Sequence, residues 1–282
     1  MADLRGARVS EEKNVSIPDK DFEQLRDFIY NLCGMYFHST KKYFLESRIT
    51  RRMEGTGTKT YQDYYQLLKS LRGAEEMKFL MDEITTNETY FFREPRHFAF
   101  LGERILATYE TQRPFRVWSA ACSSGEEPYS VAMLLAERLG TRPWEVLGSD
   151  ISTRVLEQAR AGVYPMERAE KIPPPYLKRY CLKGVGAHDG HFSIAPVLRE
   201  RMTFREVNLN ATLPELGAFD LILLRNVMIY FDQPTKRQVC QRLASLLRPG
   251  GHLFVGHSES LNGLDCALRM VQPAVYRKDG AS

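Results

Sequence analysis

A doubly wound α/β fold is what the 282-residue sequence predicts: a mostly parallel sheet, an all-helical segment ahead of it and a small antiparallel β-subdomain set into it. Three observations predict it. Up to about residue 85 the chain shows only helical patterns, separated by glycines; from Pro114 short apolar runs alternate with helical ones; and between Pro165 and Met202 that alternation is interrupted by proline, glycine and short β-like runs. Strand and helix in alternation indicate a parallel sheet with crossover helices, and ligands of such sheets bind beyond the carboxyl ends of the strands.

The elements follow in order. After a polar stretch read as a flexible leader over 1–15, Pro18 and Asp19 give start signals for a helix that places Phe22, Leu25, Phe28, Ile29 and Leu32 on one face. Further helices are expected at about Lys41–Met53, Thr60–Leu71 and Ala74–Ile84, closing a helical domain over 16–85. Residues 86–97 form a linker, and 98–282 the α/β domain, with its inserted β-subdomain at about 176–202. Within the α/β domain, strands are read in FRVWSA, WEVLGSD, MTFREVNLN, FDLILLRN and HLFVGH, and helices in PYSVAMLLAERL, STRVLEQARA and QPTKRQVCQRLASLLRPGG. The runs HFSI and PVLRE read as strands of the insertion, and ALRMVQPAVYRK as a hairpin at the sheet edge around Pro273.

Composition sets limits. A hydrophobic fraction of 43% supports an ordinary core, and no apolar run nears the ~18 residues of a membrane span, so a cytoplasmic protein without membrane insertion is expected. Five scattered cysteines give neither a disulfide framework nor zinc-ligand spacing. His188 and His191 share a turn with no cysteine beside them, and no metal is expected. A net charge of +4 is too small for nucleic-acid binding by charge alone.

The strand ends carry the chemistry. The first presents Ser123, Ser124, Gly125, Glu126 and Glu127; the second Asp150; a later one Asn208; the next Arg225 and Asn226. A carboxylate at the end of the second strand is placed to accept hydrogen bonds from ribose hydroxyls. Two acids on the first loop would repel phosphate, and the G-x-G-x-x-G turn that embraces a pyrophosphate is missing. An adenosyl ligand without phosphates, bearing a sulfonium and an ammonium, fits the charge better: S-adenosylmethionine. Each feature also has a plainer reading. SSGEEP is a serviceable helix start, its acids favouring the macrodipole, and Asp150 with Ser152 serves as a cap. Their placement on one edge of one sheet favours the ligand. The linker, ITTNETYFFREPRHF, reads either as a hinge whose aromatics plug a core or as a lid carrying Arg93 to the pocket.

Together, ITTNETYFFREPRHF, VWSAACSSGEEPYSVAM, GSDIS, VNLN, LLRNVMIYFD and LRPGGHLFVGHSES resemble the chemotaxis receptor methyltransferases, the CheR-type protein-glutamate O-methyltransferases, in order and spacing from the first helix almost to the end. The resemblance implies a class I methyltransferase core, S-adenosylmethionine as methyl donor with S-adenosylhomocysteine as product, and methyl esterification of glutamates on the cytoplasmic domain of bacterial chemoreceptors during adaptation. It implies cofactor contacts from Asn87, Thr89, Arg93, Glu127, Asp150, Asn208, Leu209, Arg225 and Asn226, with Arg93 also on the substrate side and Tyr230 beside the transferred methyl. Sequence leaves open whether Glu126 or Glu127 faces the cofactor; the resemblance favours Glu127. The enzyme is expected to be a monomer. A catalytically silent cofactor-binding scaffold is the alternative reading. An oxidoreductase is disfavoured by the missing glycines, and a nucleic-acid methyltransferase by RNVMIY in place of an Asn-Pro-Pro-aromatic pocket.

Two surfaces complete the expectations. On the second helix Lys41, Arg48, Arg51 and Arg52 fall within one arc beside an apolar stripe of Leu45, Ile49 and Met53, which reads as a solvated face or, with the resemblance, as a docking face for an acidic receptor bundle. In KGVGAHDGHFSI, Gly184, Gly186 and Gly190 bracket a loop before a strand; it reads as a plain hairpin or, by resemblance, as the place where a receptor C-terminal pentapeptide tethers by strand addition.

Overall fold

The computed structural model describes residues 16–280; the leader expected over 1–15 lies outside the described residues. Helices α1 (Asp19–Cys33), α2 (Lys42–Thr56), α3 (Tyr61–Lys69) and α4 (Gly73–Ile84) form the first layer, around a core of Phe22, Leu25, Ile29, Leu45, Ile49, Tyr64 and Leu80. The chain reverses after α1 at Gly34, whose φ of 77° ends the helix in the left-handed region, and Thr60 caps α3 through its hydroxyl.

A short α5 (Pro95–Phe100) leads to strand β1 (Phe115–Ser119), α6 (Glu126–Leu139), β2 (Trp144–Asp150) and α7 (Thr153–Ala161). The insertion holds β3 (Val163–Pro165), α8 (Pro174–Tyr180), β4 (Cys181–Lys183), β5 (His191–Ile194) and α9 (Pro196–Arg199). The core resumes with β6 (Met202–Glu206), β7 (Phe219–Leu224), α10 (Gln233–Leu246), β8 (Leu247–Val255), β9 (Arg269–Gln272) and β10 (Val275–Arg277). The seven-stranded sheet has the order β6-β2-β1-β7-β8-β10-β9, parallel from β6 to β8, with β10 antiparallel to both β8 and β9. The small sheet has the order β3-β5-β4 and is antiparallel.

Successive residues of a strand face opposite sides, so a strand covered on both faces must be apolar throughout. From Leu221 to Leu224 β7 does this: Leu221 and Leu223 join Tyr129, Val131 and Leu135 on one face, while Ile222 and Leu224 join Val239 and Leu243 of α10 on the other. The chain runs outward from β1 through β2 to β6, then returns to β7 and β8 on the other side. The order reverses between β1 and β7, and a crevice opens at such a reversal.

Three local expectations are corrected. PVLRE is helix α9, because Pro196 supplies a fixed φ at the first helical position. The sequence LRPGG belongs to β8 rather than to α10, with a register irregularity against β7 between Phe219 and Leu221 that accommodates it. The small sheet draws its third strand from Val163–Pro165, upstream of 176–202.

Candidate functional site

At the carboxyl ends of β1, β2, β6 and β7 lies a pocket of about 930 Å³, counting the space at its mouth. Asn87, Thr89, Arg93, Glu127, Asp150, Asn208, Leu209, Arg225, Asn226 and Tyr230 all line it. Residues from four strand ends and the linker thus meet in one place.

Two turns build the β1 end. Ser123 and Gly125 have φ of 49° and 99°, and a Cβ at Gly125 would stand 2.8 Å from the Tyr164 hydroxyl and 2.9 Å from the Ala159 Cβ, so only glycine fits there. The loop sends its two acids in opposite directions. Glu126 is buried away from the pocket, accepting from the Ser124 hydroxyl at 2.7 Å and from Arg168 at 2.8 Å, and burial pushes its pKa up. Glu127 faces the pocket, accepting from the Ser119 hydroxyl at 2.6 Å and from Arg225 at 2.8 Å. Of the two acids, Glu127 is the one that lines the pocket.

Asp150 closes the β2 end. Its oxygens accept from the backbone N–H groups of Ser123 (2.9 Å) and Ser152 (3.0 Å), and burial pushes its pKa up while those N–H groups oppose the rise. Each oxygen keeps a lone pair, as a ribose contact requires. Asp150 is only 7% exposed, so the strand end is a buried wall of the pocket.

Arg225 sits behind this wall with a 2% exposed side chain, between Glu127 at 2.8 Å and Glu94 at 3.2 Å, and donates to the carbonyl of Arg93. One guanidinium between two carboxylates leaves a surplus negative charge beside the pocket, which suits a ligand carrying a sulfonium and an ammonium. Glu94 also accepts from the His257 N–H at 3.1 Å, so the linker is pinned to the end of β8. Phe92 and Glu94 flank Arg93 with φ of 54° and 60°. Such conformations cost of order 1–3 kcal/mol each and persist only where the surroundings impose them. Arg93 itself donates to the Glu88 carbonyl at 2.8 Å and lies over the Tyr90 ring. The linker therefore both plugs a core and forms a wall: Phe91 is fully buried, while Arg93 lines the pocket.

The helical domain supplies a side of the pocket that the sequence did not signal: Cys33 and Met35. Asn208 donates to the Leu32 carbonyl at 2.6 Å, Met35 bridges Phe231, and the Tyr36 N–H donates to the Tyr230 carbonyl at 2.8 Å. A Cβ at Gly34 would stand 2.8 Å from Thr235, so the left-handed glycine also permits this approach. Burial pushes the Cys33 thiol up to about 12, and its Sγ donates to the Ile29 carbonyl, so it is a neutral wall residue and no nucleophile.

The expected docking arc is divided. Lys41 is exposed, and Arg51, half exposed, pairs with Glu83 at 2.9 Å. Arg48 reaches the same carboxylate at 3.3 Å and lies over Phe44. Arg52 departs from the arc: it forms a two-pronged pair with buried Glu76 at 2.9 and 2.7 Å, which also accepts from the Tyr64 hydroxyl. It fastens α2 to α3 and α4. In the insertion, Gly186 and Gly190 have φ of 60° and 77°, and a Cβ at Gly184 would stand 2.0 Å from the His188 carbonyl oxygen.

Comparison with known proteins identifies the family. Residues 87–276 match the family model described as CheR methyltransferase, SAM binding domain, and residues 20–85 that described as CheR methyltransferase, all-alpha domain. The chain is 40% identical over 260 residues to chemotaxis protein methyltransferase 2 of Pseudomonas aeruginosa, covering 91% of this chain and 92% of the relative. It is 39% identical over 269 residues to the chemotaxis protein methyltransferase of Escherichia coli K12, covering 94% and 92%. The cofactor is S-adenosylmethionine, and the residues around the pocket fit its charge. With both domains matched and nearly the whole chain aligned, the protein belongs to the CheR family of chemotaxis methyltransferases.

Proposed function

We propose that the protein esterifies glutamate side chains on the cytoplasmic domain of chemoreceptors, acting in the cytoplasm. The observation that carries this reading is one pocket lined by both Arg93 and Tyr230, with no acid–base couple among the described lining residues. A glutamate carboxylate is already ionised at neutral pH and needs no general base. S-adenosylmethionine supplies a methyl on a sulfonium; a carboxylate oxygen forms the new bond to that carbon as the C–S bond breaks and its electron pair goes to sulfur. What the chain contributes is alignment. Orienting two bound reactants is worth about 7–11 kcal/mol of barrier.

In this reading Arg93 holds the incoming carboxylate, Tyr230 packs beside the methyl, Asp150 takes the ribose, and Glu127 faces the positive end of the cofactor. Asn87, Thr89, Asn208, Leu209, Arg225 and Asn226 complete the cofactor site. The test is transfer of labelled methyl from S-adenosylmethionine to receptor-containing membranes. Label released as methanol by mild alkali is the signature of a carboxyl ester; alkali-stable label, or none, overturns the proposal.

Docking and tethering extend the same reading. Lys41, Arg48 and Arg51 would meet an acidic receptor bundle, whereas Arg52 is committed to Glu76. Reversing Lys41 and Arg51 should lower receptor methylation and its sensitivity to salt together; wild-type values in both would remove α2 from the interface. At the edge of the small sheet β4 is open to strand addition, with Leu182 and Val185 exposed beside it. Calorimetry with receptor C-terminal pentapeptides should show binding that is lost on deleting 184–186 while cofactor affinity stays. No heat at millimolar peptide would sink the tether.

A further inference from the structure

We propose that Glu259, which does not itself line the pocket, is a positioning residue that sets the conformation of the segment from Asn226 to Tyr230. The inference rests on the reading above only in taking Asn226 as a cofactor contact and Tyr230 as the residue beside the methyl.

Glu259 is 8% exposed. Its Oε2 accepts from the backbone N–H groups of Asn226 (2.8 Å) and Gly256 (2.7 Å). Among the described residues no lysine or arginine forms an ion pair with it. The carboxylate is therefore held by backbone dipoles. Among the described residues Oε1 has no hydrogen-bond partner, and the backbone N–H groups of Met228 and Ile229 oppose the upward push of burial on the pKa. These donors belong to the single turn, Met228–Tyr230, that ends on Tyr230. A buried acid without a cation is costly unless hydrogen bonds compensate it, and here those bonds come from the backbone.

Its effect is visible in the backbone. Asn226 has φ of 59°, in the left-handed region that asparagine enters more readily than other residues with a side chain but in which its backbone still has to be fixed. Its N–H is gripped by Glu259, while Glu259 is fixed to the end of β8 by its own N–H on the Gly256 carbonyl at 2.9 Å. Gly256 leaves the room required: a Cβ there would stand 2.5 Å from the Asn226 side-chain Nδ2, 2.8 Å from Glu259 Oε2 and 3.0 Å from the Asn226 backbone nitrogen. So the end of β8, through one carboxylate, dictates how the chain leaves β7. A glutamine of the same size would point an NH₂ group at some of these N–H donors, which is repulsive.

The experiment uses the full chain with Glu259→Gln and Gly256→Ala, measuring S-adenosylhomocysteine affinity by calorimetry, kcat and KM in methyl transfer, and Tm. Glu259→Gln, assayed well below its Tm, should lose about tenfold or more in kcat, the scale expected when a positioned group shifts by a fraction of an ångström, and several-fold in cofactor affinity. Gly256→Ala, which keeps the carboxylate and crowds the same contact, should shift both in the same direction. A merely structural role would lower Tm and leave kcat and affinity of the folded protein unchanged, and that result overturns the proposal. If Glu259→Gln does not fold, wild-type kcat and affinity in folded Gly256→Ala overturn it equally. Cofactor affinity needs no receptor, so failure of the glutamate reading shows separately, as wild-type protein that binds S-adenosylhomocysteine but methylates no receptor.

Discussion

Asp150 and Asp220 are equally buried, 7% exposed each, at opposite ends of the same sheet, and they are satisfied in opposite ways. Asp220, at the amino end of β7, accepts from Arg113 at 2.6 and 2.8 Å, from Arg248 at 2.8 Å and from the Arg116 N–H at 2.9 Å. Asp150, at the carboxyl end of β2, accepts only from backbone N–H groups and fronts a pocket. Among the described residues, four of the six non-glycine residues with positive φ, namely Phe92, Glu94, Ser123 and Asn226, also gather at the pocket end. At the amino end charge is neutralised within the fold. At the carboxyl end charge and backbone strain are kept unrelieved, which is where a ligand can relieve them.

The largest expected effect breaks the neutralised end. Asp220→Ala strands two guanidinium groups and a backbone donor, and losing one partner of a buried pair costs about 3–5 kcal/mol. Arg113 is 41% exposed and Arg248 26%, so the lower figure applies. Denaturant unfolding should show a loss of about 3 kcal/mol, with S-adenosylhomocysteine affinity unchanged in the folded protein. A loss of affinity in place of stability would mean that the two ends are not divided in this way.

Asp150→Ala should do the reverse. Removing a charge-assisted contact to ribose costs about 1.5–3 kcal/mol of binding, tenfold or more in affinity. Unfolding free energy should fall less than in Asp220→Ala, because the carboxylate lost is one that burial already penalised. Unchanged affinity in the folded variant would remove Asp150 from the site.

How much of this was legible follows the same division. Asp150, Arg225 and Asn226 could be placed from sequence because each stands at the end of a recognisable strand, and strand ends share an edge whatever the packing. Asn87, Thr89 and Leu209 came from family resemblance. Cys33 and Met35 carried no signal: they reach the pocket through contacts such as Asn208 to Leu32, made between residues 176 apart by domain packing. Helical periodicity found the α2 arc, yet it could not show that Arg52 turns inward, because Glu76 lies on another helix. PVLRE was misread because the apolar pair Val197 and Leu198 looks like a strand when the proline that starts a helix is overlooked.

A pH series sharpens the contrast at smaller amplitude. Burial raises Asp150 above its ordinary value of 3.8. Its contribution to stability is thus fully present below that value and is lost as pH rises through the folded value, since the native state holds the proton longer. The stability advantage of wild type over Asp150→Ala should shrink as pH goes from about 4 towards neutrality. Equilibrium unfolding of both proteins at matched pH values checks the sign; an advantage that grows with pH would show that the backbone N–H groups outweigh burial.

The smallest effect expected is the coupling between the two ends. Val117 of β1 aligns with Val146 of β2 and with Leu221 of β7, which puts Asp220 nearly level with Glu145 and Asp150 five residues further along. At about 3.3 Å per residue, and two strand spacings of about 4.8 Å across, the carboxylates lie roughly 19 Å apart with a packed core between them. Independent sites at such distances add to within about 0.5 kcal/mol. A double-mutant cycle on Asp150→Ala and Asp220→Ala, run on unfolding free energy and on S-adenosylhomocysteine affinity, should therefore close to within that figure for both quantities. Saturating ligand at about a hundred times its Kd should add about 2.7 kcal/mol to wild type and the same increment to Asp220→Ala. A larger coupling would show that the sheet transmits strain from its neutralised end to its pocket, and the two ends would then have to be treated as one electrostatic unit.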